Sequence, residues 1–148
     1  MRKQAGFTLL EIIIVLTLAV VIYALVLGVP LRGGKSADLK YAARTLASGL
    51  RQAQTTAMAT RRDATLTLDL EAKEYLVLGE KEAHKLPDDI DLQLYTAQTE
   101  VSSDKRGAIR FYPDGSSTGG RITVSSGERR FLVDVDWLTG RVSVADLR

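Results

Sequence analysis

Residues 6–29 of the chain read GFTLLEIIIVLTLAVVIYALVLGV. Ile12 to Val29 are 18 consecutive residues without a charge, close to the shortest helix that crosses the hydrocarbon core of a bilayer. The wider segment 7–31 holds 20 apolar residues in 25, whereas residues 32–148 hold 45 in 117. The mean hydropathy of zero therefore conceals a very apolar segment joined to a domain of ordinary composition.

The residues alone leave several interpretations of this segment open. Arg2 and Lys3 precede it as in a secretory signal peptide, but the apolar run exceeds the usual length of about 7–15 residues and Pro30 follows the candidate cleavage point. A single-pass anchor with a cytoplasmic N terminus satisfies the positive-inside rule. That anchor would contain Glu11 at a cost of about 2.5–3.5 kcal/mol, unless the helix dipole stabilises a carboxylate in the first turn.

A third interpretation comes from the order of residues at the start of the chain. A short basic leader ending in Gly6, then Phe7-Thr-Leu-Leu-Glu11 and an unbroken apolar run, resembles the type IV prepilin signature. The resemblance implies that prepilin peptidase removes residues 1–6 by cleavage between Gly6 and Phe7, and that Phe7 is N-methylated. It also implies that segment 7–31 is kept, first as a membrane anchor and later as the core of a helical filament.

The same resemblance gives Glu11 a role in filament assembly. Cleavage exposes the amine of Phe7, and in the family the glutamate of one subunit is thought to meet the amine of a neighbour. An opposite charge makes a buried carboxylate tolerable, and removing that partner is costly. We therefore expect Glu11 to act in register and assembly and to have no catalytic part.

Residues 36–62 predict an amphipathic helix after a bend or break at Pro30 and Gly33-Gly34. Ser36 is the predicted N-cap and Asp38 suits the first turn. The predicted core stripe consists of apolar residues three or four apart: Leu39, Ala42, Ala43, Leu46, Leu50, Ala53, Ala57 and Met58.

After residue 62 the period of the apolar residues changes from helical to two. Alternating segments recur about seven times up to residue 144, beginning with a predicted hairpin at residues 64–70 and 74–79. The predicted fold is α+β, with a long N-terminal helix packed on antiparallel β-sheets. The predicted organisation is therefore a leader at 1–6, a membrane or filament-core helix at 7–31 and a folded domain at 32–148.

A second resemblance covers most of this domain. Residues 111–122 (FYPDGSSTGGRI) resemble the C-terminal signature of the GspH/FimT family of minor pseudopilins and minor pilins, residues 136–142 (DWLTGRV) its closing strand pair, and residues 50–54 its helix end. Residues 79–107 have no clear counterpart. The resemblance implies a pilin-like fold, in which a long helix packs on two sheets.

The resemblance also implies a function, a location and partners. The expected function is that of a minor pseudopilin near the tip of the type II secretion pseudopilus, assisting export of folded proteins across the outer membrane. The expected location is the bacterial inner membrane, with the C-terminal domain in the periplasm. The expected partners are prepilin peptidase, other minor and major pseudopilins, the inner-membrane secretion platform and lipid. The alternative is a minor type IV pilin of the same family that binds DNA during uptake.

Charge is unevenly distributed along the chain. Residues 32–68 carry seven basic and two acidic side chains, residues 69–104 three and ten, and residues 105–148 eight and five. Such blocks favour contacts between different surfaces, and one expectation is that the acidic strip 69–104 faces the basic helix 44–62 of another subunit. Six arginines form the candidate DNA contact, although few aromatic residues accompany them and we expect nucleic acid to be an improbable partner: Arg106, Arg110, Arg121, Arg129, Arg130 and Arg141.

Signals for catalysis or metal binding are weak. The chain has no Cys and one His, which excludes thiol catalysis and makes most triads improbable. Residues 115–121 are glycine-rich but lack the ending of a phosphate-binding loop, and the carboxylates Asp88, Asp89 and Asp91 lack calcium-loop spacing. His84 lies in a charged run. We expect no enzyme activity, cofactor or metal.

Overall fold

The computed structural model describes residues 8–28, 35–97, 100–103 and 105–147, with the backbone alone for residues 24–28, 35 and 102. The chain forms two compact units that divide between residues 32 and 33. Gly6, Phe7 and the bend predicted at Pro30 and Gly33-Gly34 lie outside the described residues.

The first unit contains helix α1, Leu9–Gly28. Thr8 is its N-cap. The Thr8 carbonyl accepts the N–H groups of Glu11 and Ile12 at 3.0 and 3.2 Å, and the Thr8 hydroxyl oxygen accepts the Glu11 N–H at 3.3 Å. A threonine at the N-cap followed three residues later by a glutamate is the capping-box pattern, so these residues fix where the helix begins.

Within the described part of the chain, no helix is both long enough and apolar enough to span a membrane.

The second unit begins with helix α2, Lys35–Thr60. The predicted stripe is buried from Leu39 to Ala57, but the prediction is wrong for Met58, which is 53% exposed. The helix ends two residues earlier than predicted because Arg61 adopts a left-handed conformation, with φ of 53°.

Nine strands follow among the described residues, two more than predicted: β1 Ala64–Asp69, β2 Glu74–Val77, β3 His84–Lys85, β4 Asp91–Thr96, β5 Val101–Ser103, β6 Arg106–Phe111, β7 Gly120–Ser126, β8 Arg129–Val135 and β9 Val142–Leu147. The additional strands are β3 and β5, which have two and three residues and are too short for a recognisable alternation. The predicted α+β class with antiparallel pairing is confirmed.

The strands form two sheets. Sheet A has the order β3-β2-β1-β6-β5 and sheet B the order β4-β7-β8-β9. Helix α2 contacts strands of both sheets, and its buried residues Leu46 and Leu50 join Leu66, Ile109 and Val133 in one core. The packing is closest at Gly49, where an added Cβ would lie 2.6 Å from the Tyr75 ring, so the helix approaches sheet A at a position without a side chain.

Cross-strand register determines the two faces of sheet B. Ile122, Val133 and Val144 form one row on the α2 side, and Arg121, Asp134 and Ser143 form the neighbouring row on the opposite face. The α2 side is buried in the two inner strands, and strand β9 is a free edge of the sheet, exposed after Val142.

Candidate assembly surfaces

The surface of α1 is apolar around its whole circumference. Each large apolar side chain from Leu9 to Tyr23 is at least 47% exposed, and no polar stripe interrupts them because the only polar residues after Glu11 are Thr17 and Tyr23. The Thr17 hydroxyl donates to the Ile13 carbonyl at 2.7 Å and so does not require water. A helix that is apolar on all sides is stable when lipid or other protein covers it. The described part of α1 therefore presents an apolar surface of this kind.

Glu11 is the one charged residue in α1, Leu9–Gly28. It lies in the first turn, where the partial positive charge of the helix N terminus favours a carboxylate. The side chain is exposed and is therefore free to meet a group outside the subunit. The predicted role of Glu11 in assembly is consistent with this position and stays a prediction. Cleavage between Gly6 and Phe7 and methylation of Phe7 also stay predictions, because both residues lie outside the described part of the chain.

The C-terminal signature forms a tight turn between β6 and β7. The Tyr112 N–H donates to the Ser116 carbonyl and the Gly115 N–H to the Tyr112 carbonyl, both at 2.9 Å. The Asp114 carboxylate accepts the Ser116 hydroxyl at 2.6 Å and the Ser116 N–H at 2.9 Å. These bonds hold the pKa of Asp114 below its usual value, the hydroxyl having the larger effect. The turn predicted at residues 113–115 is therefore confirmed.

A second turn, residues 136–140, packs against the first one and is called here the Trp137 turn. The Gln54 side-chain amide donates to the Gly115 carbonyl at 2.9 Å and to the Thr139 carbonyl at 3.2 Å. Gly140 has φ of 63°, and a Cβ there would collide with the Gly115 carbonyl and the Gln54 amide. The three segments named in the sequence analysis, residues 50–54, 111–122 and 136–142, therefore meet at one place. Their contact requires Gln54 as the hydrogen-bond donor and a residue without a side chain at Gly140.

The Trp137 turn is also fixed from within. The Asp136 carboxylate accepts the N–H groups of Leu138 and Thr139 at 3.1 and 2.8 Å and the Thr139 hydroxyl at 2.8 Å. The Thr139 N–H, followed by its hydroxyl, is the main cause of the lowered pKa of Asp136. Trp137 and Leu138 are nevertheless 65% and 64% exposed. A rigid turn that presents a large aromatic side chain has the properties of an interface anchor.

The six candidate DNA-binding arginines do not gather on one face. Arg106 and Arg110 lie on sheet A, Arg121, Arg129 and Arg130 on sheet B, and Arg141 in the turn before β9. Arg129 and Arg130 are adjacent residues of one strand, so their side chains point to opposite faces. The DNA-binding alternative is therefore not favoured by the geometry.

Three of these arginines are already paired with carboxylates. Arg106 pairs with Asp69 at 2.5 Å and Arg121 with Asp134 at 3.0 Å. Arg110 donates to both oxygens of Glu100, at 2.9 and 3.2 Å, and this bidentate bond is the main cause of the raised pKa of Arg110. Pairing of this kind reduces the positive charge available to a phosphate backbone.

The acidic strip 69–104 is partly neutralised in the same way. Asp69 and Glu100 hold the arginines just described, Glu71 pairs with Lys105 at 2.8 Å, and Glu80 accepts from the Gln52 amide and contacts the His84 ring. His84 also stacks on Tyr75, with ring centroids 5.0 Å apart. These carboxylates have partners within the chain, so fewer of them are available for the contact predicted between this strip and the helix of another subunit. That contact stays a prediction.

A basic groove lies between α2 and the free edge of sheet B. Its walls and floor come from both elements: Ser36, Lys40, Arg44, Ala47, Arg51, Arg129, Phe131, Val144 and Asp146. Among the described residues, none of its four cations forms an ion pair with a carboxylate. Lys40, Arg44 and Arg51 all lie off the predicted apolar stripe. The spacing of Lys40, Arg44 and Arg51 places them on one helix face, which was the available signal.

The weaker sequence signals acquire ordinary structural explanations. Residues 115–119 lie in the connection between β6 and β7, and residues 120 and 121 begin β7, whereas a phosphate-binding loop precedes a helix. Asp88 and Asp89 lie in the turn before β4. In the ranges that the structure describes, no group of three or more His, Asp or Glu side chains is placed to hold a metal ion.

Comparison with known proteins gives the following similarities. Residues 42–139 match the family described as type II transport protein GspH, and residues 1–27 match the prokaryotic N-terminal methylation motif. The type II secretion system protein H of Xanthomonas campestris is 31% identical over 147 residues, which cover 99% of this chain and 86% of that protein.

Two solved structures share the fold. The minor pseudopilin EpsH from the type 2 secretion system of Vibrio cholerae aligns with a TM-score of 0.58 at 11% identity, covering 74% of this chain and 97% of that one. The type IV minor pilin FimU of Pseudomonas aeruginosa aligns with a TM-score of 0.57 at 13% identity, covering 72% and 87%. At these identities the likeness is one of fold.

Proposed function

Because this chain belongs to the GspH family of type II transport proteins, we propose that it acts as a minor pseudopilin, a structural subunit near the tip of the type II secretion pseudopilus. In this role it assists the export of folded proteins across the outer membrane. The subunit is processed by prepilin peptidase and assembles with other minor and major pseudopilins on the inner-membrane platform. The folded domain lies in the periplasm.

One observation carries this proposal: the helix α1 is apolar and exposed on every side, and a capped first turn containing Glu11 precedes its long apolar run. Lipid satisfies such a surface before assembly, and the packed helices of a filament satisfy it afterwards. The match of residues 1–27 to the N-terminal methylation motif supports the same sequence of events.

Processing is tested by intact-mass measurement of the full chain co-expressed with and without an active prepilin peptidase. The expected mass with the peptidase lacks Met1–Gly6 and gains one methyl group. Removal of Arg2 and Lys3 also leaves 18 basic and 18 acidic side chains in the mature chain. A chain that keeps its leader in the presence of active peptidase contradicts the proposal.

The role of Glu11 is tested separately. We propose that its carboxylate pairs with the amine of Phe7 on a neighbouring subunit, so Glu11→Ala and Glu11→Gln should be processed normally but recovered poorly in sheared filaments. Thr17→Ala is the matched control, because it removes a polar group from the same helix that is bonded only within that helix. Normal incorporation of Glu11→Gln would show that the charge is not needed.

A further inference from the structure

The basic groove has a free strand edge along one wall. Directly before β9, the Arg141 carbonyl accepts the N–H of Asp136, the residue that follows β8, at 3.0 Å and so points toward the β8 side. Neighbouring residues of an antiparallel strand point their backbone groups to opposite sides. The N–H and C=O groups of Val142, Val144 and Asp146 therefore point away from β8, toward the open edge of sheet B.

The two ends of the groove are defined by hydrogen bonds between its walls. At one end an Arg51 guanidinium nitrogen donates to the Val142 carbonyl at 3.2 Å. At the other end the Arg129 guanidinium donates to the Ser36 hydroxyl. Between these ends α2 and β9 run side by side, and the backbone groups of Val144 remain available for a further strand.

Charge and spacing indicate what that strand would carry. Four cations face one carboxylate, Asp146, in the groove. Lys40 and Arg44 are four residues apart on the helix, a rise of about 6 Å. Alternate residues of an extended strand are separated by about 7 Å. A strand added to β9 would therefore bring side chains from every second residue opposite these two cations.

We propose that the basic groove binds an extended acidic segment of a neighbouring filament subunit, which adds as a strand to the β9 edge and places carboxylates from alternate residues against Lys40 and Arg44. The inference rests on the proposed function, because it is filament assembly that brings a neighbouring subunit to this surface. In a second copy of this chain, Asp69, Glu71, Glu80 and Glu100 already have partners within their own chain, so these carboxylates are not available to the groove.

The binding test uses the full chain in nanodiscs of zwitterionic lipid and a fluorescent synthetic peptide, Thr-Glu-Val-Glu-Val-Glu-Thr, with fluorescence anisotropy as the measurement. A peptide of the same composition with its three glutamates adjacent is the control for spacing. We expect the alternating peptide to bind and the control peptide to bind about tenfold more weakly, because only alternation places the carboxylates on one side of a strand. Equal binding of the two peptides overturns the proposal.

Two sets of variants separate charge from edge pairing. Lys40→Glu/Arg44→Glu should weaken binding by about tenfold or more, while Arg62→Glu/Lys81→Glu, which changes exposed cations outside the groove, should leave it within about twofold. Val144→Pro removes an edge N–H and should also abolish binding, whereas Val144→Thr keeps the N–H and should not.

Each result of the variant series decides the proposal. Unchanged binding in Lys40→Glu/Arg44→Glu or in Val144→Pro, with wild-type far-UV circular dichroism, overturns it. Failure of the peptide to bind together with tight binding of phosphatidylglycerol vesicles assigns the groove to a lipid headgroup and also overturns it. The proposed function is scored apart from these results by leader removal and filament recovery, so a correctly assembled pseudopilin with no peptide binding contradicts the groove alone.

Discussion

Substitution of Gly140 by alanine should destabilise the folded domain well beyond the cost of its backbone conformation. Gly140 and Gly127 have nearly the same φ, 63° and 62°. An added Cβ at Gly127 has no heavy atom within 4 Å, whereas at Gly140 it meets the Gly115 carbonyl and the Gln54 amide. Gly127→Ala is therefore a matched control that carries the conformational cost only.

The magnitude follows from the contacts. A left-handed alanine costs about 1–2 kcal/mol, which is the whole effect expected of Gly127→Ala. Gly140→Ala places the added Cβ 2.1 Å from the Gly115 carbonyl oxygen and 2.4 Å from Gln54 Nε2. Both groups must move, and Gln54 loses hydrogen bonds to the Gly115 and Thr139 carbonyls worth about 1 kcal/mol each. The free energy of unfolding of the two variants therefore differs by at least about 2 kcal/mol, which lowers the Tm by about 8 °C or more for a domain of this size.

The assay is thermal unfolding of the full chain in detergent micelles, followed by far-UV circular dichroism and by the fluorescence of Trp137, the only tryptophan in the chain. In a Gln54→Ala background the extra cost of Gly140→Ala should fall, because the two positions share the same contacts. Equal Tm values for Gly140→Ala and Gly127→Ala would refute the reasoning that Gln54 joins the two turns.

The remaining predictions concern ionisable groups. The pKa of Asp136 is lowered by the N–H and hydroxyl of Thr139, so its contribution to stability is present above the unfolded value of about 3.9 and is lost as pH falls through the lower folded value. Trp137 emission should therefore stay constant from pH 7 to about pH 4 and change below it, and Asp136→Asn should remove that transition; an acid transition of unchanged midpoint would assign it to another group. Glu100→Gln should cost about 1–2 kcal/mol by urea unfolding, since it weakens the bidentate bond to Arg110. Asp63→Asn should cost less than about 1 kcal/mol, because Asp63 lies 3.6 Å from Arg110 and its side chain is 46% exposed. Equal losses for the two variants would contradict this ranking.

The regular elements were predictable because each has a clear period over enough residues. The stripe from Leu39 to Ala57 repeats at helical spacing for five turns. Strand β1 alternates between buried and half-buried positions throughout, β7 does so over residues 122–125, and β8 does so after its first two residues. The end of α2 was not predictable from these rules, since nothing in the sequence marks Arg61 as a left-handed residue. Met58 directly follows the buried Ala57 and is therefore turned about 100° around the helix axis from the stripe, which leaves its side chain 53% exposed.

Features assembled from distant parts of the chain were missed for a different reason. The basic groove combines cations of α2 with Arg129, which lies 93 residues away from its partner Ser36. The pairing of Arg110 with Glu100 also depends on how β5 and β6 come together at an irregular register. A count of charges along the sequence does not distinguish one arginine from another. In the fold, Arg106, Arg110 and Arg121 have carboxylate partners, whereas the arginines of the basic groove have none among the residues that the structure describes.

The uniform apolar surface of α1 leaves its rotation about its own axis unspecified. Between Leu9 and Tyr23 no side of the helix is preferred by burial of apolar area, so turning the helix within lipid or within a bundle of similar helices changes the hydrophobic free energy little. The orientation in which a subunit faces its neighbours must then be set by the few polar groups at the helix start and by the surfaces of the folded domain. The apolar surface of α1 therefore supplies the affinity of the subunit for lipid or for neighbouring helices, whereas the helix start and the folded domain set its orientation.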